Sequence, residues 1–296
     1  MEIETFNEEL NLSMCRIFGF RSVIHSQVHQ SLVNADNALV TQSERHPDGW
    51  GVAYYVGDAP HLIKGDQTAL QDKIFKKVSG VVASQTVIAH IRKATLGETN
   101  ILNTHPFQYG RWTFAHNGNV KDFDNYREEL QSRIEPDLKR FILGDTDSET
   151  IFYFLLSYIK QNLNLNDSSV SAKDVIQQVK SALREIINIV GPCNFVDENQ
   201  TSDTFLTFVL TNGHIMLAHH GGQKLKYSTY KTQCVDRDSC PFFSPVCEAP
   251  TKNGFVNHLI FSSEDLSGDN IWDEMKPHQI IGVDKNMSLV QDNLFE

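Results

Sequence analysis

The sequence lacks any apolar run long enough to span a bilayer, and residues 1–13 have neither the basic start nor the apolar stretch of a secretion signal. Basic residues are also few, because 26 Lys and Arg stand against 37 Asp and Glu, giving a formal net charge of −11. An acidic chain without a basic cluster is poorly suited to bind nucleic acid or an anionic membrane surface. We therefore expect neither nucleic acid nor membrane as a partner.

Cysteine is scarce, with five residues in a chain of 296. Cys234, Cys240 and Cys247 lie near one another, but their spacing is wider than the C-x₂₋₄-C pairs of structural zinc sites. Few cysteines and no export signal indicate a reducing compartment, so we expect a cytoplasmic protein. We expect no metal and no cofactor.

What the sequence does contain is a cysteine directly after a methionine, Met14-Cys15, and the tetrapeptide HNGN about a hundred residues later. If the chain in front of Cys15 were removed, that residue would have a free α-amine, whose ordinary pKa is roughly 7.7–8.0. Such an amine is partly neutral near pH 7 and can take the thiol proton. Because the thiolate is the reactive form of cysteine, one residue would then supply both nucleophile and base.

Six short segments in a fixed order strengthen this interpretation. They are CRIFG (15–19), HPDGWG (46–51), HIRKAT (90–95), NTHPF (103–107), FAHNGN (114–119) and GDTDSE (144–149). Together they resemble the class II glutamine amidotransferases, a family of N-terminal-nucleophile (Ntn) enzymes. The later part of the chain, with SSEDL at 262–266, resembles the single-domain, YafJ-like branch of that family.

The resemblance implies an α+β fold, a four-layer αββα sandwich of two antiparallel sheets between helix layers, as in Ntn hydrolases. It also implies one domain over residues 15–296, a glutamine amidotransferase type-2 domain. Residues 1–14 are then an N-terminal extension with three open explanations. Met14 is the true start, or the segment is a propeptide cleaved before Cys15, or it is retained and the protein is inactive.

Three residues take part in the chemistry if the resemblance is carried over. Cys15 resembles the nucleophile that attacks the γ-carboxamide. Asn117 and Gly118 resemble the oxyanion hole, through a side-chain amide and a backbone N–H. Loss of one such donor typically lowers kcat by about 10²–10³.

Four further residues resemble substrate-binding positions. Arg92 matches the clamp on the substrate α-carboxylate, a role that suits a planar guanidinium. Asp147 matches the partner of the α-ammonium, and Thr95 and His105 match positions that line the same pocket. From the residues alone, Arg92 fits equally well as a strand-end charge turned to solvent. Asp147 fits as a first-turn acid that faces a helix dipole.

The predicted activity is hydrolysis of the γ-amide of glutamine or of a γ-glutamyl compound, through a thioester on Cys15. The expected partners are that small-molecule substrate and, if the ammonia is used, a separate synthase that accepts it. A non-enzymatic alternative also stands, in which the extension is retained and the protein binds glutamine without turnover.

Periodicity in the sequence predicts ten strands and five helices. The strands are predicted at 17–23, 51–56, 61–64, 86–91, 111–115, 204–210, 214–218, 224–228, 257–262 and 279–283. The helices are predicted at 31–41, 67–78, 122–134, 147–162 and 172–190. Residues 232–253 show no periodicity and are predicted to form a long loop.

Overall fold

The computed structural model describes residues 15–27, 39–43, 47–70, 72–94, 97–195, 203–234, 237–238, 240–251, 254–266 and 268–296. Side chains are not described at 27, 40, 42 and 79–81. The predicted extension 1–14, Thr95 and most of the predicted helix 31–41 lie outside the described residues.

The strands are β1 (Arg16–Gln27), β2 (Trp50–Val56), β3 (Ala59–Gly65), β4 (Ala83–Ile91), β5 (Phe107–Tyr109), β6 (Trp112–Asn119), β7 (Phe205–Thr211), β8 (Met216–His219), β9 (Lys226–Ser228), β10 (His258–Ser262), β11 (Asp273–Glu274), β12 (Gln279–Val283) and β13 (Leu289–Asn293). The helices are α1 (Leu39–Gln42), α2 (Lys73–Val81), α3 (Phe123–Ser132), α4 (Pro136–Lys139), α5 (Asp147–Asn162) and α6 (Ala172–Val190).

The described strands form two sheets. Seven strands make the first, in the order β11-β9-β10-β1-β4-β2-β3, and six make the second, in the order β13-β12-β8-β7-β6-β5. All of these pairings are antiparallel. Of the motif-bearing strands, β1 and β4 lie in the interior of the first sheet, and β6 lies between β7 and the edge strand β5 in the second.

Central strands such as β4 and β7 are buried on both faces, which explains their near-continuous apolar runs. Neighbouring residues point to opposite faces, so Val209 of β7 packs between the two sheets while Phe208 packs against the helices α3, α5 and α6. In the first sheet, Ile17 faces the other sheet and Phe18 belongs to the outer cluster that contains Phe75 of α2. The α+β class and the two antiparallel sheets between helices are therefore confirmed.

Two helices and one strand begin and end where the sequence predicts: α5, α6 and β12. The two helices have side-chain N-caps. The Thr146 hydroxyl accepts from the Glu149 N–H at 3.2 Å, and the Ser171 hydroxyl accepts from the Asp174 N–H at 3.1 Å. A capped start followed by an apolar stripe is the clearest local signal of a helix.

Other boundaries were wrong. Helix α2 begins at Lys73 rather than at Gln67, because the Asp72 carboxylate caps it by accepting from the Ile74 N–H at 2.7 Å. Strand β6 continues through HNGN to Asn119. The short strands β5, β11 and β13 and helix α4 were missed. Within the described part of the predicted loop 232–253, a 3₁₀ turn at Pro245–Cys247 is the regular element.

Candidate functional site

Cys15 lies immediately before β1, at the centre of the first sheet. Its thiol fits against the backbone of Lys93, whose N–H donates to Sγ and whose carbonyl accepts from it, both at 3.2 Å. The register of β1 on β4 pairs Arg16 with Ile91, which brings Cys15 beside the residues that follow β4. The side chain is buried.

Burial dominates the electrostatics of this thiol and raises its pKa above the ordinary value for cysteine. The Lys93 backbone contact and the guanidinium groups of Arg92 and Arg16 act in the opposite direction but do not offset the burial. The group is therefore a neutral thiol near pH 7, and it needs a base before it can act as a nucleophile.

Arg92 follows β4 and is itself buried. Its guanidinium donates to the carbonyl oxygens of Glu98 at 3.2 Å and Gly97 at 3.4 Å. Burial lowers its pKa, and the neighbouring Cys15, Asp48 and Asp145 act against that shift. Arginine stays charged in proteins, so this is a cation next to the thiol. The solvent-facing alternative for Arg92 is wrong.

The segment after β4 is held by the residues that precede β2. The Arg92 N–H donates to the Gly49 carbonyl at 2.8 Å, and its own carbonyl accepts from the Asp48 N–H at 3.3 Å. The Asp48 carboxylate accepts from the Ala94 N–H at 2.9 Å. The HPDGWG motif therefore fixes the backbone against which the Cys15 thiol lies.

A second hydrogen-bonded link joins NTHPF to GDTDSE. The Asn103 side-chain amide donates to the Glu98 carbonyl at 3.0 Å and to the Asp145 carboxylate at 2.6 Å, and its oxygen accepts from the Asp145 N–H at 3.1 Å. The Glu98 carbonyl thus receives hydrogen bonds from both Asn103 and Arg92. Sequence reasoning assigned no role to Asn103 or Asp145, although both lie inside the motifs it quoted.

Asn117 and Gly118 lie on β6 of the second sheet. The Asn117 side chain is buried, and its Oδ1 has no hydrogen-bond partner among the residues that the structure describes. Gly118 pairs with Leu206, and a Cβ at this position would collide with the Phe205 carbonyl. A glycine is therefore required there by the close approach of β7.

The neighbouring His116 was missed as a site residue. Its Nε2 lies 2.9 Å from the Phe205 carbonyl, and its Nδ1 lies 2.9 Å from the Ser148 hydroxyl. A carbonyl only accepts, so Nε2 carries the proton. Burial lowers the pKa of His116, which leaves Nδ1 of the neutral ring as an acceptor.

Asp147 begins α5, as predicted, and both of its carboxylate oxygens accept hydrogen bonds. One oxygen accepts from the Val120 N–H at 2.6 Å, and the other lies 2.7 Å from the Ser148 N–H and 3.1 Å from the Ser148 hydroxyl. The carboxylate thus ties the end of the HNGN strand to the start of α5. Its contact with a substrate ammonium stays a prediction.

His105 is buried between two aromatic rings, 4.2 Å from the His90 ring and 4.7 Å from the Phe107 ring. Neither ring nitrogen finds a hydrogen-bond partner in the described part of the chain. Burial, followed by the effect of His90 and His116, holds its pKa well below the ordinary value for histidine. His105 is therefore neutral. Its predicted neighbour in the pocket, Thr95, lies outside the described residues.

The structure groups the predicted residues into two clusters. Cys15 and Arg92 form one at the end of β4, and Asn117, Gly118 and Asp147 form the other at the end of β6. His90 of β4 connects them, because its Nε2 lies 3.1 Å from the carbonyl of His116 across the sheets.

The late motif SSEDL contacts the two residues that follow the cysteine. Glu264 forms an ion pair with Arg16 at 2.7 Å, and the Ser263 hydroxyl accepts from the Ile17 N–H at 3.1 Å. The ion pair therefore includes the residue that directly follows the proposed nucleophile. No role was assigned to Arg16 or Glu264 from the sequence, because an isolated charge on a strand carries no local signal of its partner.

Within the described ranges, no group of three or more His, Cys, Asp or Glu side chains is placed to hold a metal ion. In that same part of the chain, no helix is both long enough and apolar enough to cross a membrane.

The family model and the similar proteins all point to the same family. The model for class-II glutamine amidotransferases matches residues 14–289. A Haemophilus influenzae protein whose name assigns it to the glutamine amidotransferases is 34% identical over 240 residues, covering 78% of this chain and 71% of its own. YafJ from Escherichia coli, named likewise, is 35% identical over 242 residues, covering 78% of this chain and 83% of its own.

A shorter match reaches the γ-glutamyl-hercynylcysteine sulfoxide hydrolase of Mycobacterium tuberculosis, at 35% identity over 74 residues, 25% of this chain and 32% of that protein. Among solved structures, a class-II glutamine aminotransferase domain protein from Silicibacter pomeroyi superposes with a TM-score of 0.58 at 17% identity, covering 94% of this chain and 99% of that one. At this level of identity the structural match shows the fold alone.

In protein that retains residues 1–14, we expect the Cys15 thiol to react with iodoacetamide more slowly than the half-buried Cys240 thiol at neutral pH. Burial raises the pKa of Cys15 above the ordinary value for cysteine, roughly 8.5, so its thiolate fraction and its rate should still be rising with pH at about pH 9. Timed quenching and peptide mass spectrometry measure both rates.

Cys193 is the internal control, because burial also raises its pKa, to about 12, and its rate should likewise still be rising at about pH 9. The pH at which each rate levels off is independent of steric access. A Cys15 rate that is already flat at neutral pH would show a thiolate there and contradict the assignment.

Proposed function

The chain belongs to the class II glutamine amidotransferase family, whose named members are enzymes, and on that premise we propose a specific activity for it. The protein hydrolyses the γ-carboxamide of glutamine, or the γ-amide bond of a γ-glutamyl compound, through a thioester on Cys15. The observation that carries the proposal is the position of the Cys15 thiol. Its Sγ lies 3.2 Å from both the nitrogen and the carbonyl oxygen of Lys93, and the buried Arg92 cation acts on it electrostatically.

This arrangement supports the proposal because it places a nucleophile next to a group suited to hold a carboxylate. Glutamine carries its α-carboxylate a few bonds from the amide that is attacked. Arg92 would pair with that carboxylate, and the side-chain N–H of the buried Asn117 amide would donate to the oxyanion. Since Arg92 and Asp147 would recognise the glutamyl end alone, glutamine is the reference substrate.

The chemistry runs in two halves. The Cys15 thiolate adds to the γ-carbonyl carbon, and the Asn117 amide and Gly118 N–H stabilise the oxyanion. Collapse breaks the C–N bond, the leaving nitrogen takes the proton that the α-amine removed from the thiol, and a γ-glutamyl thioester remains. Water, deprotonated by the same amine, then adds to the thioester, and the Cys15 thiol leaves with the returned proton as glutamate is released.

The free α-amine of Cys15 is therefore part of the proposal, and residues 1–14 must be absent from the active form. Either translation starts at Met14, which is then removed, or the segment is cleaved as a propeptide. A chain that retains the extension has no base at this position, and it would bind glutamine without turning it over.

The fate of the nitrogen divides the proposal into two versions. In one, a separate synthase accepts the ammonia. In the other, the substrate is a γ-glutamyl amide or peptide and no ammonia is passed on, as the name of the mycobacterial relative states for that protein. In both, the thiol must stay reduced, which fits a cytoplasmic protein whose five cysteines are all free.

We expect Cys15→Ala, made in protein that begins at residue 15, to abolish glutamate release from glutamine while glutamine binding stays measurable by calorimetry. The substitution removes the nucleophile and leaves Arg92 and Asp147 in place. Cys193→Ala is the matched control, because it also removes a buried thiol and should retain activity. Full activity in the Cys15 variant would eliminate the proposed nucleophile.

We expect Asp147→Asn to raise the KM for glutamine by at least about tenfold, the scale of a lost charged hydrogen bond. Glutaramate, which keeps the carboxylate and the amide but lacks the α-amine, should lose much less. Steady-state kinetics with both substrates gives the comparison.

Ser148→Ala is the control for the structural part of this effect, because Ser148 contacts both Asp147 and His116 while the carboxylate remains. It should affect the two substrates equally. An equal loss of both substrates in Asp147→Asn would show that the carboxylate only ties β6 to α5.

A further inference from the structure

A pocket is lined in part by Ile101 and Leu102 of the loop between β4 and β5, the loop whose Gly97 and Glu98 carbonyls accept from Arg92. It has a volume of about 430 Å³, within the range of small-molecule sites. Its walls come from β3, β5, α5 and the segments that precede β5 and α5, and they include Lys64, Phe107, Glu149 and Tyr153. None of the residues assigned to the proposed chemistry lines it.

Lys64 supplies a cation inside this mostly apolar space. Its ammonium donates to the Thr104 carbonyl at 2.6 Å and lies 5.3 Å from the centre of the Phe107 ring. An ammonium has three donors, so two remain available for a ligand. Burial lowers its pKa to about 8, which still leaves it mostly protonated at neutral pH.

Glu149 supplies an anion to the same pocket. Its carboxylate accepts from the Gly144 N–H at 2.7 Å and from the Leu143 N–H at 3.2 Å, and the side chain is buried. A carboxylate has about four acceptor positions, so it can accept further hydrogen bonds.

The two charges act on each other, but neither side chain has an ion-pair partner within 4 Å among the described residues. A cation and an anion that face one pocket without meeting can be joined by a molecule that carries both complementary charges. Buried charges are normally paired, and such a ligand would complete two pairs at once.

The rim of the pocket is apolar and open to solvent. Ile101, Leu102, Phe141 and Leu143 expose 51%, 50%, 38% and 66% of their surface, and all four line the pocket. Clusters of exposed apolar side chains next to a cavity are typical of ligand sites. They would cover a hydrocarbon group of a ligand whose charged end lies deeper.

We propose that this pocket binds a free α-amino acid with an apolar side chain. The carboxylate of the amino acid pairs with Lys64 and its ammonium pairs with Glu149. Its side chain packs against the apolar rim, which is formed by Ile101, Leu102, Phe141 and Leu143. The proposal concerns binding alone and does not rest on the proposed hydrolase activity.

Isothermal titration calorimetry of the full chain with L-phenylalanine and L-leucine tests this directly. We expect saturable binding of both. 3-Phenylpropionate lacks the ammonium and phenethylamine lacks the carboxylate, so each should bind at least about tenfold more weakly than phenylalanine, the scale of one lost charged hydrogen bond.

Variants locate the site. Lys64→Met should weaken phenylalanine binding at least about tenfold. Gln108→Trp should block it without removing a buried group, because Gln108 is exposed on β5 at the edge of the pocket. Lys285→Met, at an exposed lysine far from the pocket lining, should have no effect. Arg92→Met should also leave binding intact, which separates this pocket from the candidate active site.

Three results would overturn the proposal. One is the absence of binding to the unmodified protein at about 10 mM ligand, which corresponds to less than about 3 kcal/mol of binding free energy. Another is binding that Arg92→Met removes while Lys64→Met and Gln108→Trp do not. The third is equal affinity for phenylalanine and 3-phenylpropionate.

Discussion

Three backbone-directed hydrogen bonds between residues 48–49 and residues 92–94 are the constraint on which the candidate site depends. They fix the chain just after β4, from the Arg92 N–H on the Gly49 carbonyl to the Ala94 N–H on the Asp48 carboxylate. That short segment places the Lys93 backbone against the Cys15 thiol. It also places the Arg92 guanidinium against the carbonyls of Gly97 and Glu98. If it shifted by an ångström, the thiol and the cation would move together, and positioning errors of this size are costly in catalysis.

Burial decides the protonation states around this segment. It keeps the Cys15 thiol neutral and holds His105 and His116 unprotonated, and Arg92 is the charged side chain that lowers the pKa of the thiol most. A neutral thiol between a backbone N–H and a backbone carbonyl is well placed but inactive. The chemistry then depends on a base, and the proposed α-amine of Cys15 would reach the thiol from the same residue. This is why the state of the N-terminus decides the function.

The sequence predicted the parts of the fold that have a local signal. Helices α5 and α6 have caps and apolar stripes, and β12 has an apolar run between turns, so their bounds were right. Strands β5 and β13 are short or half-exposed and have no such signal. The ordered motifs supplied the residues of the two clusters, and the roles of those residues stay predictions. The motifs could not show that the Asp147 carboxylate accepts from the Val120 N–H, or that the Asn103 amide donates to the Asp145 carboxylate. Those contacts join residues far apart in the chain, as does the pocket with Lys64 and Glu149.

The most direct test compares glutamate release from glutamine by two forms of the protein, one beginning at Cys15 after cleavage of a removable leader and one retaining residues 1–14, with both N-termini verified by intact mass. The account predicts turnover in the first form and at most a trace in the second, because only the first has the amine that can take the thiol proton. Equal turnover by the two forms would show that the base lies elsewhere and would contradict the account.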